Sequence, residues 1–242
     1  MPPAPGAPVT GVATGIASLE RIDRETVSGR VYRDLRELLI SGEISPGEKL
    51  ALRSVAAALG TSLMPVRDAV ARLAAEQAVE VMPNRTVRVP VMTRGRFEEL
   101  RTIRLMLEGH CAEAAAAQAT ALDLARIRDL HAGFVAEHDV DDPDAGRLIR
   151  LNKEFHFAVY RASRMPVALQ MIEGLWLQIG PVLNFDLRMK SERLSRRVAV
   201  GHHTDLLAAL ERHDGLAARA ALAEDINSAG DFILCRGVLP EG

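Results

Sequence analysis

Asn152 and His156 stand four residues apart in Asn152-Lys153-Glu154-Phe155-His156, a spacing that sets two ligand-type side chains on one face of a helix. His203 and Asp225 stand eleven residues to either side of Asp214, in the turn His213-Asp214-Gly215. At ~1.5 Å rise per residue, an antiparallel helix hairpin brings them to the same height. The four side chains can then converge as two imidazoles and two oxygen donors. That set suits a divalent ion such as Zn²⁺, Ni²⁺ or Mn²⁺. Spacing alone leaves a second reading open, a polar core cluster with no ion. The other histidines, His110, His131, His138, His202 and His213, read as surface or packing residues.

A second group of residues is suited to nucleic acid. Arg67 and Arg72 lie on a short helix opened by Ser62, and Asn84-Arg85 lies at the tip of a short hairpin. Such groups can hold phosphates and reach base edges. One arginine per turn is also an ordinary solvated helix face, and charge does not decide. Residues 26–92 carry nine Lys/Arg against seven Asp/Glu, and residues 93–242 carry nineteen against twenty-two, so the first segment is only mildly basic.

The elements that must position these residues follow from periodicity. Residues 1–25 read as a flexible tail, rich in Pro, Gly and Ala through Gly15, and Met1–Gly15 lacks the basic start and apolar run of a signal peptide. From Thr26, Val27, Val31, Leu35, Leu38 and Leu39 share one helix face up to Ser41-Gly42. A Pro46-Gly47 turn follows, then short helices at about 53–59 and 63–76. Thr61-Ser62 supplies the N-cap of the second, and Pro65 lies in its first turn. Val79, Val81, Val87 and Val89 alternate around Pro83-Asn84-Arg85 as a hairpin. Helices then read at about 94–118, 122–139, 144–163, 166–190, 193–212 and 215–235, with short links that favour an antiparallel bundle. The fold class is mainly α. Residues 26–92 form a winged helix-turn-helix, and residues 93–237 form an all-α helical bundle.

Other classes recede. There is no GxGxxG, Walker loop or GxSxG, and no apolar stretch reaches the ~18–20 residues of a membrane span. Cys111 and Cys235 lack CxxC spacing, which points to a reducing cytoplasm. A metal-dependent enzyme would need a general base beside the cluster, and no HExxH-type Glu or nucleophile is placed there.

The run Tyr32…Leu35-Arg36…Ile40…Gly42…Ile44…Pro46-Gly47-Glu48-Lys49-Leu50, continued by Val55-Ala56…Leu59-Gly60-Thr61-Ser62…Pro65-Val66-Arg67-Asp68-Ala69-Val70…Leu73…Glu76, resembles the GntR family of bacterial transcription regulators. The resemblance implies that Arg53, Ser62, Arg67, Asn84 and Arg85 meet DNA. Three positions depart from the family pattern. Leu63 replaces an Arg that reads the groove, Gln77 a Gly after the recognition helix, and Thr86 a Gly of the wing.

Arg104-Leu105-Met106-Leu107-Glu108, Asn152…Phe155-His156…Val159…Ala162-Ser163 and His203…Leu206-Leu207…Ala209-Leu210…Asp214…Ala217-Ala218 resemble the FCD effector domain found behind such winged helices. This resemblance implies a metal site at Asn152, His156, His203 and Asp225, with Asp225 standing where His is usual. It also implies a small carboxylate effector, with Arg104 as its partner. On spacing alone, Arg104 serves equally well in an intrahelical pair with Glu108. The function expected is a ligand-responsive transcriptional regulator, a repressor before an activator, that binds a double-stranded operator as a homodimer, since one winged helix reads one half-site. A metal-dependent enzyme or an interaction bundle without DNA is the alternative.

Overall fold

The computed structural model describes residues 26–183 and 196–241. The first unit contains α1 (Val27–Ile40), β1 (Lys49–Leu50), α2 (Leu52–Ala58), α3 (Leu63–Ala75), β2 (Glu80–Val81) and β3 (Val87–Arg88). The second contains α4 (Arg94–Gln118), α5 (Ala121–His138), α6 (Ala145–Ala162), α7 (Pro166–Leu183), α8 (Val198–Glu211) and α9 (Gly215–Cys235). The expected tail at 1–25, and the expected helical extensions over 184–190 and 193–195, lie outside the described residues.

Most boundaries follow from caps. Thr26, Thr93 and Asp144 accept backbone N–H bonds at the starts of α1, α4 and α6, and Asp214 does so for α9. Thr120 and Asp123 form a reciprocal capping box at α5. Ser62 differs from expectation. It occupies the N-cap position of α3, but its side chain makes no capping hydrogen bond, so its exposed hydroxyl is not committed to the helix end. Among the described residues α8 begins at Val198, directly after Arg197, which is left-handed at φ 57°.

The sheet has three strands in the order β1-β3-β2, both pairs antiparallel. Lys49 and Glu80 both pair with Arg88, and Leu50 and Val81 both pair with Val87. Sequence reading supplied the β2–β3 hairpin but took Lys49-Leu50 only as the end of a turn. The wing closes over Pro83-Asn84-Arg85. The Arg85 N–H reaches the Met82 carbonyl at 2.8 Å, the Thr86 N–H reaches Asn84 Oδ1 at 3.0 Å, and Arg85 takes the left-handed conformation at φ 61°. This is a turn followed by a left-handed residue. The conformational demand falls on Arg85, so Thr86 is tolerated where a wing Gly is usual.

Gln77 is a second left-handed residue, at φ 59°. The Gln77 N–H bonds the Ala74 carbonyl at 3.0 Å and the Ala78 N–H bonds the Leu73 carbonyl at 2.9 Å, closing α3 in a Schellman motif. A side chain in this conformation is strained, whereas Gly is not. Gln77→Gly is therefore expected to stabilise the protein by about 0.5–1 kcal/mol, net of the greater freedom Gly brings to the unfolded chain. Urea denaturation of both proteins checks it, and a lower midpoint for the Gly variant would contradict it.

In the bundle, α9 packs along α4 and α8, and α6 packs along α5. The winged unit is joined to the bundle by more than the link at 89–93. α1 packs on α7, with Gly180 at the crossing. A Cβ on Gly180 would lie 2.6 Å from the Leu39 carbonyl oxygen and 2.7 Å from Ile40 Cα. Ion pairs flank the seam, Arg36–Glu173 at 3.0 Å and Lys153 with Glu37. One apolar core runs across both units, from Val31, Leu35 and Leu39 to Ile179, Leu222 and Ile233.

Candidate functional site

The buried cluster forms where α6, α8 and α9 meet. His156 Nε2 lies 3.3 Å from Asp225 Oδ2 and 3.3 Å from His203 Nε2. One ligand-capable atom from each of the three residues fits within a 4.8 Å span. His156 and His203 are buried and Asp225 is partly buried. The hairpin of α8 and α9 thus does what the equal spacing about Asp214 requires. Asn152 lies one turn before His156 on α6 and is half-buried.

Packing fixes the rings. Phe155 stacks on His203 with centroids 4.2 Å apart and planes 22° apart, and Phe134 lies 5.0 Å from the same ring. Burial pushes the His203 imidazole well below its usual pKa, against the opposing pull of Asp225. It is therefore neutral near pH 7, the form that ligates a metal. His203 Nδ1 is buried without a hydrogen-bond partner. His131, set aside in the sequence as a packing residue, has its ring 6.2 Å from that of His203 and its Nε2 3.1 Å from Thr204 Oγ1.

Behind His156 runs a chain of polar groups, of which the sequence offered only the Arg104–Glu108 pair. Glu108 is fully buried and receives Arg104 Nε at 2.6 Å, Arg104 Nη2 at 3.1 Å, Tyr160 Oη at 2.5 Å and Trp176 Nε1 at 3.0 Å. Burial, and then Glu108, push the Tyr160 phenol well above its usual pKa, so it keeps its proton and donates to Glu108. Tyr160 Oη also lies 3.3 Å from His156 Nδ1. Since the Tyr160 proton is given to Glu108, the bond from His156 is assigned as Nδ1–H donating to Oη. In a neutral ring so assigned, the lone pair of His156 is on Nε2, the nitrogen that faces Asp225 and His203. This is the outer-shell orientation expected of a metal-ligating histidine.

Two of the three ligand spacings fit an ion as well. Ligand atoms around a tetrahedral ion with bonds of about 2.0–2.2 Å stand about 3.3–3.6 Å apart. Both resolved spacings at His156 meet that condition.

Arg104 is 3% exposed, and the intrahelical pair with Glu108 is formed through two of its nitrogens. Burial opposes its charge and Glu108 more than restores it, holding the guanidinium above its usual pKa. Nη1 takes no part in the two bonds to Glu108.

The expected DNA-contacting residues are all at the surface. Arg53 is exposed on α2, Ser62 and Arg67 at the start of α3, and Asn84 and Arg85 at the wing tip. Arg72 is different, because its guanidinium lies 3.8 Å from the centre of the Tyr32 ring, whose hydroxyl bonds Glu76 at 2.8 Å.

Comparison with known proteins matches this two-part arrangement. Residues 27–89 match the family of bacterial regulatory proteins, gntR family, and residues 99–228 match the FCD domain. The HTH-type transcriptional regulator McbR of Escherichia coli is 32% identical over 195 residues, covering 81% of this chain and 87% of McbR. The HTH-type transcriptional repressor RspR of the same species is 24% identical, covering 86% and 90%. The solved structure of E. coli McbR superposes with a TM-score of 0.80 at 29% identity, covering 88% of this chain and all of that one. A GntR regulator from Rhodococcus sp. RHA1 shares the fold at a TM-score of 0.69 and 23% identity, covering 86% and 97%. Among the described residues, no helix is long and apolar enough to cross a membrane. The chain belongs to the GntR family of bacterial regulatory proteins, a transcriptional regulator rather than an enzyme, with a DNA-binding winged helix followed by an FCD effector domain.

Proposed function

We propose that this regulator acts in the cytoplasm as a homodimeric repressor whose FCD domain binds a divalent ion and a small organic acid. The ion is Zn²⁺, Ni²⁺ or Mn²⁺, held by Asn152, His156, His203 and Asp225. One observation carries this reading: three donor atoms from three helices lie within 4.8 Å, with Tyr160 Oη 3.3 Å from His156 Nδ1 on the far side of the ring. When bound, the ion supplies a positive centre for an effector carboxylate. Arg104 is the second cation for the acid, meeting it through the guanidinium edge that Glu108 leaves over. The name of RspR as a repressor supports the sign of regulation. A general argument supports the homodimer: one winged helix reads one half-site, and a palindromic operator presents two.

The route from effector to DNA lies on α6. Asn152 and His156 occupy this helix, and Lys153, the residue after Asn152, reaches Glu37 on α1. An effector that binds one placement of α6 more tightly biases the placement of α1, and with it the reading head.

Metal titration after chelator stripping tests the site. His203→Ala is expected to lower affinity for Zn²⁺ or Ni²⁺ by more than about 100-fold. Tyr160→Phe keeps every ligand and removes the hydroxyl that faces His156 Nδ1, together with one of the four hydrogen bonds to Glu108, so a loss of about 10–100-fold is expected. Wild-type protein that takes up none of the three ions would leave a polar core cluster.

The reading head has its own test. Arg67→Ala is expected to weaken binding to operator DNA by ~1–3 kcal/mol at fixed salt, with an unchanged circular dichroism spectrum. Wild-type affinity in the variant would show that α3 does not enter the groove as proposed.

A further inference from the structure

The leading end of α3 carries little charge. Val66, Ala69, Val70 and Leu73 turn into the core, and Met64, Arg67, Asp68 and Ala71 face solvent. Leu63, where the family pattern has a groove-reading Arg, is half-buried. Arg72 is stacked on Tyr32, and Asp68 accepts the Ser28 hydroxyl at 3.3 Å. On the outward stripe at three- and four-residue spacing, Arg67 is flanked by Met64 and Ala71, both apolar. Met64 is 60% exposed in the first turn of the helix, where a side chain reaches deepest into a major groove.

An unbranched thioether held in water contributes nothing to folding at this position. Against DNA it has a specific partner. The thymine C5-methyl is the one apolar group that base edges present in the major groove, and methionine adapts its flexible, polarisable chain to such a surface.

We propose that Met64 reads a thymine methyl group, so that each operator half-site places a T·A pair next to the position contacted by Arg67. This rests on α3 entering the major groove. Specificity at that pair then comes from apolar contact, in place of the guanine fork that an Arg at position 63 would supply.

The probe is duplex DNA selected by the full-length protein from a random library. Each thymine of the selected site is then replaced, one at a time, by uracil, which keeps base pairing and removes one methyl. Wild-type protein is expected to lose about fourfold in affinity at one thymine per half-site, the factor for withdrawing one buried methyl-sized group. Met64→Ala should bind the thymine and uracil duplexes equally, with the salt dependence of wild type, since no phosphate contact is removed. Position 64 is exposed and Ala favours helix, so the fold is preserved. A wild-type protein indifferent to uracil at every thymine overturns the proposal, as does a Met64→Ala variant that keeps the fourfold preference. If instead Arg67→Ala binds the selected duplex as tightly as wild type, the placement of α3 is wrong and the proposal falls with it.

Discussion

Glu108→Ala is expected to destabilise the protein by about 3–5 kcal/mol, the range for breaking a buried ion pair by removing one partner. The carboxylate is fully buried and accepts four hydrogen bonds, from Arg104, Tyr160 and Trp176. Its loss leaves a guanidinium, a phenol and an indole N–H without an acceptor in the interior. Replacing Arg104 and Glu108 together by apolar residues, often mild for an isolated buried pair, does not rescue this site, because Tyr160 and Trp176 still lose their acceptor. Denaturant titration measures both variants. A loss under 1 kcal/mol in the single variant would mean that water enters and satisfies these groups.

The second large effect is expected at Gly180. A methyl group there would sit 2.6 Å from the Leu39 carbonyl oxygen. The obstacle is backbone, so no side chain can rotate away. α1 must separate from α7, and Gly180→Ala should lower stability by about 1–3 kcal/mol as an overpacked site. Protease sensitivity within residues 26–92 should rise with it. Gly174 is the internal control. It lies on the same helix with nothing within 4 Å of an added Cβ, so Gly174→Ala should stabilise by roughly 0.5–1 kcal/mol through helix propensity. Equal effects at the two positions would rule out close packing as the cause.

Much of this was legible in the sequence, and what was missed has common causes. The helices were readable because the periodic segments are interrupted at Thr120 and at His213-Asp214-Gly215, where Thr120 and Asp214 open the next helix as N-caps. The pairing of His203 with Asp225 was readable because helix rise converts equal spacing about a turn into equal height. Lys49–Leu50 was not, since a two-residue strand has no period and exists only through Arg88 and Val87 opposite it. The Ser62 side chain was assigned a cap bond from its position, and position does not dictate a rotamer. Glu108, Tyr160 and Trp176 come from three helices, and helical spacing says which face each occupies but not which face it meets. Tyr160 left a trace one turn after His156 on the same helix, and Glu108 left one as the partner of Arg104 at i,i+4 spacing.

The apolar core that runs unbroken from α1 to α9 has a consequence for how the molecule takes up heat. Two segments that match separate families would be expected to melt as separate units if a bare linker joined them. Here Leu39 and Ile179 belong to one packed interior, so neither unit can open without exposing the other. A calorimeter should record a single endotherm whose van't Hoff and calorimetric enthalpies agree. Any ion or acid bound only in the bundle then raises the melting temperature of the DNA-binding head by the same amount as that of the bundle itself.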